Sequence, residues 1–456
     1  MVTQGPSDAS EGEKRPPKGA PEDLAATLAG LAEAGFEEAE VYLKKGRSRR
    51  LEHGPTTHLT GFHQERGWAV RAGGDRASCF ACGSGSPPPG GPWPEPDGFG
   101  LRLPEPDAGA EGWSEPPDFD APLIGETEGL RLLAAFEPAL AEEMPEARLM
   151  RAVLEDGSSE SWVASSRGIR ASYRRRLASL RLEGAVSGDG GRVHTASLYL
   201  AEREARRLNP KALARRLADL LAIRLHGRPA VRDRGDLLLA PAVGSALLNG
   251  LRPFLVGAEK GSRLAGLRDG RGRVGSEALT ILDDGRLAGG LLAAPADGEG
   301  RATGRVRLID EGHWRQPLLP WDQVRTDGGR ATGCVRRASW RDLPAAGPTH
   351  LLIQPDPSVA VSALLAGIAR GYYLVDAPGS GRFETDGSRF QLPVCGFAVQ
   401  GGQTAPQPIR GAVLTGSVGA LLQGVKAVAR DLTFAPYDGM IGSPTLLVAG
   451  LELANC

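Results

Sequence analysis

Histidine, cysteine, serine and acidic side chains are the groups through which this chain could do chemistry, and their spacing decides which kind. Seven histidines stand at 53, 58, 63, 194, 226, 313 and 350. His53, His58 and His63 recur every five residues. On a helix that step turns successive side chains by about 140°, and on a strand an odd step alternates faces. Neither geometry gathers the three around one metal ion, so they read as solvated loop histidines. Cys79 and Cys82 form a CxxC in RASCFACG. A redox or zinc role would need a helix N-terminus or a second CxxC. The segment reads instead as the end of a strand, with both cysteines as small buried groups.

Other nucleophile and phosphate signatures are absent. No Gly-x-Ser-x-Gly elbow occurs, and no Gly-Lys-Ser/Thr follows the Gly-rich stretch at 83–91. Arg174-Arg175-Arg176 has no interleaved aromatic platform, so it reads as a solvated strand or turn rather than a nucleic-acid surface.

The densest acidic pattern lies between Gly275 and Gly312. A short alternating strand, 278–282, ends at Asp283-Asp284-Gly285. A second acidic turn, Asp297-Gly298-Glu299-Gly300, leads through Thr303 to a strand at 306–309, which stops at Asp310-Glu311-Gly312. Short polar side chains bond nearby backbone and glycine tolerates positive φ, so these are turn signals. On residue chemistry alone they describe a meander with polar corners.

The elements that must position these groups follow from composition and periodicity. The chain has 456 residues, 41% hydrophobic but only 5% aromatic, with a formal charge of −1. That length suits two or three domains, and the balanced charge recruits neither nucleic acid nor membrane. Gly (63) and Pro (35) are abundant, so many turns are expected. An odd count of five cysteines, no signal-peptide core and no apolar run of about 20 residues predict a soluble, cytoplasmic protein.

Residues 1–20 read as a disordered tail. Asp23 caps a predicted helix carrying Leu24, Leu28 and Leu31, and strands follow at 39–43 and 67–72. The Pro/Gly-rich segment 83–122 forms a linker or surface loop, with Trp93 and Trp113 favouring one that packs on something. Helical spacing returns over Glu126–Arg151, divided or kinked by Pro138. Strands at 161–165, 168–173, 178–185 and 193–200 precede a helix from Asn209-Pro210 to Leu225. A boundary near 228–235 separates an N-terminal α+β domain (21–228) from a β-rich one (235–456). In the second, helices are expected at 241–255, 358–369 and 418–429.

The order of several stretches adds a resemblance. ALTILDDG, the DGEG turn with Thr303 and the RLIDEG strand resemble the central signature of the TldD/PmbA family. GYYLVDAPGSG (371–381), CGFAVQGGQTAPQPIRGAVLTGS (395–417) and GSPTLLVAGLELA (442–454) resemble its C-terminal motifs, and GWAVRAGG its N-terminal strand. The resemblance covers most of the chain and implies the same two-domain α+β fold. In the family's catalytic subunit type, the helix at 241–255 carries HExxxH, whose histidines bind zinc. Here the corresponding positions are Val243, Gly244, Ser245, Ala246, Leu247 and Leu248, and no His, Glu or Asp occurs between Pro241 and Leu255.

That departure is similar to the PmbA (TldE)-like subunit type. It implies a non-catalytic subunit with no cofactor of its own, zinc being held by a TldD-like partner in a heterodimer. The pair would act on unfolded or short peptides or peptide precursors. Asp297, Glu299 and Thr303 of the central turn, with Cys395, Gly396 and Phe397, are the residues expected to shape this chain's side of the peptide cavity. Cys395 falls where the catalytic type has a cysteine near its zinc, and with the helix ligands gone it reads as structural. Two other readings stay open. One is a homodimeric metallopeptidase using His313, Cys395 or the N-terminal histidines; the other is a peptide-binding module docking through 83–122.

Overall fold

The computed structural model describes residues 21–107, 117–257, 272–327 and 331–455. The tail at 1–20, Trp113 and Cys456 lie outside the described residues. The fold is mixed α+β, mostly sheet. Among the described residues it has sheets of six, six and nine strands and a two-stranded ribbon. No described helix is long and apolar enough to cross a membrane.

Helix α1 (Glu22–Glu33) buries Leu24, Leu28 and Leu31. Pro21 rather than Asp23 takes the capping position, and Asp23 accepts a hydrogen bond from Arg66 at 2.7 Å. The next strands are far longer than alternation alone suggests. β1 (Glu38–His53) and β2 (His58–Gly73) form one antiparallel hairpin, and β3 (Ser78–Ser84) pairs with the last residues of β2. Three residues apart on β3, Cys79 is buried and Cys82 exposed, so only Cys79 is the small buried group expected. After β3 the Pro-rich loop lies on this end of the sheet. Trp93 meets Trp68 edge-on at 6.3 Å, and Leu101 and Leu103 are buried.

Helices α2 (Glu126–Ala134) and α3 (Phe136–Glu143) divide at Ala135, with Pro138 in the first turn of α3, where its missing N–H costs nothing. The helix does not run to Arg151 as expected. Pro145 cannot continue it, and β4 (Ala147–Ser165) begins with alternating buried and exposed residues. With β5 (Arg170–Ser187) and β6 (Val193–Glu202) the antiparallel order becomes β3-β2-β1-β4-β5-β6. Helix α4 (Pro210–His226) is capped by Asn209, whose side-chain oxygen accepts the Ala212 N–H at 3.3 Å. It packs with α2 and α3 on this sheet through Leu133, Phe136, Leu140, Leu180, Leu217 and Leu221.

The solvated reading of Arg174-Arg175-Arg176 fails at its last residue. Arg176 is 1% exposed and Asp156 0%, and they form a bidentate pair; the second Asp156 oxygen also accepts the Ile124 N–H at 2.6 Å. Alternation on β5 turns Arg176 under the helices.

The remaining chain forms two sheets around helix α5 (Pro241–Leu255). In the nine-stranded sheet, Asp236–Leu239 lies parallel to Arg370–Asp376, which pairs antiparallel with Phe390–Gln400 and onward through Gln403–Gly416 to Glu452–Asn455. In the six-stranded sheet, Ile281–Asp284 sits between Arg305–Asp310 and His350–Ile353, and Gly439–Ser443 follows. Two helices are shorter than expected. One covers only Val361–Ala366; the other, capped by Ser417, ends at Gly424, where Val425–Val428 enters the nine-stranded sheet.

Candidate functional site

A cleft of about 960 Å³ opens where the two halves of the chain meet. One wall is β6 (Ser197 to Leu200) with α4 (Arg216, Asp219, Ile223, His226). The other is the start of α5, the strands carrying Tyr373, Asp376 and Phe397, and the hairpin strand Thr433–Tyr437. The start of α5 is fixed by its own residues. Pro241 takes the first helical position, where no N–H is needed and its restricted φ already suits a helix. The preceding Ala240 N–H bonds Leu374 O at 2.8 Å. Val243, Leu247, Leu248, Leu251 and Phe254 fix one face in the core. A Cβ on Gly244 would fall 2.1 Å from Ser443 Oγ, so glycine is what allows α5 to lie against Gly439–Ser443.

α5 turns Ala242 and Ser245 to the cleft. Ser245 is 1% exposed, and its hydroxyl has no hydrogen-bond partner among the described residues. Around it the lining is aromatic and apolar (Tyr373, Phe397, Phe434, Tyr437), with few charges. Asp376 is bonded by Arg224 at 2.8 Å; burial raises its carboxyl, and Arg224 only partly offsets this. Burial raises Asp219 as well. A concave, mainly apolar surface with a few placed polar groups suits an extended chain of mixed side chains.

Of the six sequence-predicted residues, the structure brings Phe397 to this cleft. Cys395 and Gly396 precede it on the same strand but face into packing. Cys395 is fully buried, its thiol pushed up to about 12 by that burial, and a Cβ on Gly396 would meet Tyr373 O at 2.0 Å. Asp297, Glu299 and Thr303 lie elsewhere, buried between the first sheet and the segment after Ile281–Asp284. Asp297 accepts the N–H groups of Glu299 (2.9 Å), Arg301 (3.0 Å) and Val335 (3.1 Å). Thr303 donates its hydroxyl to Ala294 O. Glu299 accepts from Arg71 at 2.7 Å; Arg71 also holds Glu40 at 2.8 Å, and Glu40 is paired again with Arg337. Burial alone would raise Glu40, but Arg337 and Arg71 outweigh it and hold it below the usual range.

His350, which carried no sequence signal, is built into the same region. Its Nε2 accepts the Leu292 N–H at 3.2 Å, so Nδ1 carries the proton and donates to Asp284 O at 2.9 Å. Burial pushes its pKa down to about 4, keeping the ring neutral.

Residues 123–225 match the PmbA/TldA metallopeptidase central domain, and residues 234–455 its C-terminal domain. The chain belongs to the PmbA/TldD family. Among solved structures similar to this PmbA/TldD chain is TldE from Thermococcus kodakarensis, at TM-score 0.80 and 19% identity, covering 95% of this chain and all (100%) of that one. A proposed modulator of a DNA gyrase from Thermotoga maritima matches at TM-score 0.79 and 15% identity, covering 95% and 99%. At such identities the likeness is one of fold. An uncharacterized protein of Methanocaldococcus jannaschii is 29% identical over 141 residues, 30% of this chain and 33% of that protein.

Zinc needs imidazole, thiolate or carboxylate donors. On the helix where the PmbA/TldD resemblance places HExxxH, only Ala242 and Ser245 reach the cleft beyond Pro241, so the residues present do not fit the metal. Among the described residues no three His, Cys, Asp or Glu side chains converge as a metal-binding group. His313 lies on the short strand His313–Trp314 with Nδ1 3.1 Å from Glu311 O, in a different sheet from Cys395. The N-terminal histidines are on the β1–β2 hairpin. Their expected separation holds for His63, which pairs with Ser48, but not for His53 and His58, which are register partners. The spacing argument took one continuous element, whereas the chain reverses between them.

Proposed function

We propose that this chain is the PmbA/TldE-like, non-catalytic subunit of a TldD/TldE-type zinc metallopeptidase. In this reading the cleft beside α5 receives an extended peptide, and a TldD-like partner supplies zinc and cuts it. The observation that carries it is α5 itself: the helix borders the cleft yet offers it a methyl group and a serine hydroxyl. Neither can hold zinc or activate a metal-bound water.

The fold likeness to TldE supports the subunit type. The aromatic lining supports peptides of mixed sequence, because large flat side chains bind through area rather than a fixed polar code. A cytoplasmic setting fits the described cysteines, all of them free thiols. The Pro-rich loop is a weaker candidate for docking, since Trp93, Leu101 and Leu103 are spent covering the first sheet.

The test is co-expression with an HExxxH-bearing homologue from the same genome, followed by elemental analysis and peptidase assay. The expected result is no peptidase activity in the isolated chain, and activity against unfolded peptide in a heterodimer that carries one zinc more than the isolated chain does. Stoichiometric zinc and peptidase activity in the isolated chain would overturn the assignment.

A further inference from the structure

The end of the β1–β2 hairpin carries two imidazoles in a geometry that the peptide cleft does not explain. The chain turns at 54–57, closed by the Gly54 N–H to Thr57 O at 2.9 Å. His53, the last residue of β1, thereby becomes the register partner of His58, the first residue of β2. Directly opposed residues on an antiparallel pair share a face, with Cβ atoms about 4.5–5.5 Å apart. The two rings follow, with centroids 4.9 Å apart and planes at 46°. Their Nδ1 atoms stand 3.2 Å from each other.

We propose that His53 and His58 form a binding site for a divalent late first-row transition metal, such as Zn²⁺, Ni²⁺ or Cu²⁺. With metal–nitrogen bonds of about 2.0–2.1 Å, two nitrogens at this separation subtend roughly 100–105° at a shared ion, close to a tetrahedral angle. Small rotations of the rings suffice to point both lone pairs at one ion, and the backbone register already holds the side chains together.

The opposite edge of His53 supports the assignment. Its Nε2 lies 3.8 Å from Glu137 Oε2 on α3. A metal-ligating histidine commonly presents its other N–H to a carboxylate, which fixes the tautomer that leaves the ligating nitrogen bare. At 3.8 Å Glu137 does not itself bond His53, but a small side-chain movement would bring it to that position, with Nδ1 left to the metal. His58 is exposed and His53 partly so, which leaves the other coordination positions to water. Imidazole donors give the order Ni²⁺ below Cu²⁺ and Cu²⁺ above Zn²⁺. The ion would bridge the two strands where the hairpin ends, tightening a stretch of β2 that has β1 as its only strand neighbour among the described residues from His58 to Arg66.

The experiment is calorimetric titration of Cu²⁺ and Zn²⁺ into the full-length, metal-stripped chain and into His58→Asn, His53→Asn and His63→Asn. The proposal expects one equivalent bound by the unaltered chain, with Cu²⁺ tighter than Zn²⁺. Each of the first two substitutions should weaken binding at least tenfold, and His63→Asn should leave it unchanged. His58 is exposed, so His58→Asn should fold normally, and circular dichroism checks this. No binding to the unaltered chain, or equal affinity in His58→Asn, overturns the site. Because neither histidine lines the cleft beside α5, the site can fail while the subunit assignment stands, and the reverse holds too.

Discussion

Arg71 on β2 bonds Glu299 across 228 residues of sequence at 2.7 Å, and both side chains are largely hidden from water. Arg71 is also bonded to Glu40, and Glu40 to Arg337, so two residues of the first sheet are tied to two of the later segment. The pairs lie where the halves of the chain join, not in the cleft between them.

Replacing Arg71 with Met leaves Glu40 and Glu299 sharing a buried space with only Arg337 to balance them. Loss of one partner from a buried ion pair costs about 3–5 kcal/mol. Urea unfolding of Arg71→Met should show a loss of that size. A loss under about 1 kcal/mol, typical of surface pairs, would mean the junction is wet.

Burial pushes the Asp297 and Asp283 carboxyls up to about 7, above the value of about 3.9 for a free aspartate. Between those values the folded chain keeps protons that the unfolded chain has released. These two groups therefore make stability fall as pH rises from about 4 to about 7. Glu40 acts in the opposite sense: its stabilisation is present above the ordinary glutamate pKa and disappears as pH drops through its lowered folded value. Asp297→Asn should flatten the decline by at most about 1.4 kcal/mol per pH unit. Parallel stability–pH curves for the two proteins would contradict the raised pKa.

Arg175 and Arg176 are neighbours with opposite fates. Arg176→Ala strands the fully buried Asp156 without its cation and should cost about 3–5 kcal/mol. Arg175 has no carboxylate partner among the described residues and stacks at 5.0 Å on Tyr173, so Arg175→Ala should cost about 1 kcal/mol or less. Thermal unfolding of the two variants reads the contrast, and equal losses would refute it.

If the cleft holds peptide, Phe397→Ala should lower kcat/KM of the assembled peptidase by about 10-fold or more, as loss of a buried aromatic anchor does. Its thermal stability should change far less, since Phe397 is only partly buried. Thr303→Val should do the reverse, lowering stability with kcat/KM near that of the unaltered complex. An equal drop in kcat/KM for both would remove the cleft from the mechanism.

Local signals carried well wherever neighbouring residues decide the outcome. Leu24, Leu28 and Leu31 mark the inner face of α1, Asn209-Pro210 starts α4, and the apolar run from Pro241 to Leu255 is a helix. They failed where distant pairing extends or ends an element. β1 and β4 are long because each pairs along its length with the other, about 100 residues away in the chain, as well as with its hairpin neighbour. Val425–Val428 leaves the helical pattern because Leu446–Val448 receives it as a strand.

The candidate site divides in the same way. What residues 241–255 lack, and hence the unfitness of α5 for zinc, is a matter of side-chain chemistry and is complete in the sequence. Which residues share a space is not, because burial and proximity arise only when separate segments fold onto one another. Asp297 and Glu299 look like turn residues until Arg71 and the Val335 N–H close over them. His53 and His58 look divided by their spacing until the hairpin opposes them. Side-chain types and local periodicity are enough for the chemical inventory and the helix faces. Which groups meet, which are dry and which line the cleft depends on contacts between segments far apart in the chain, and no local pattern encodes those.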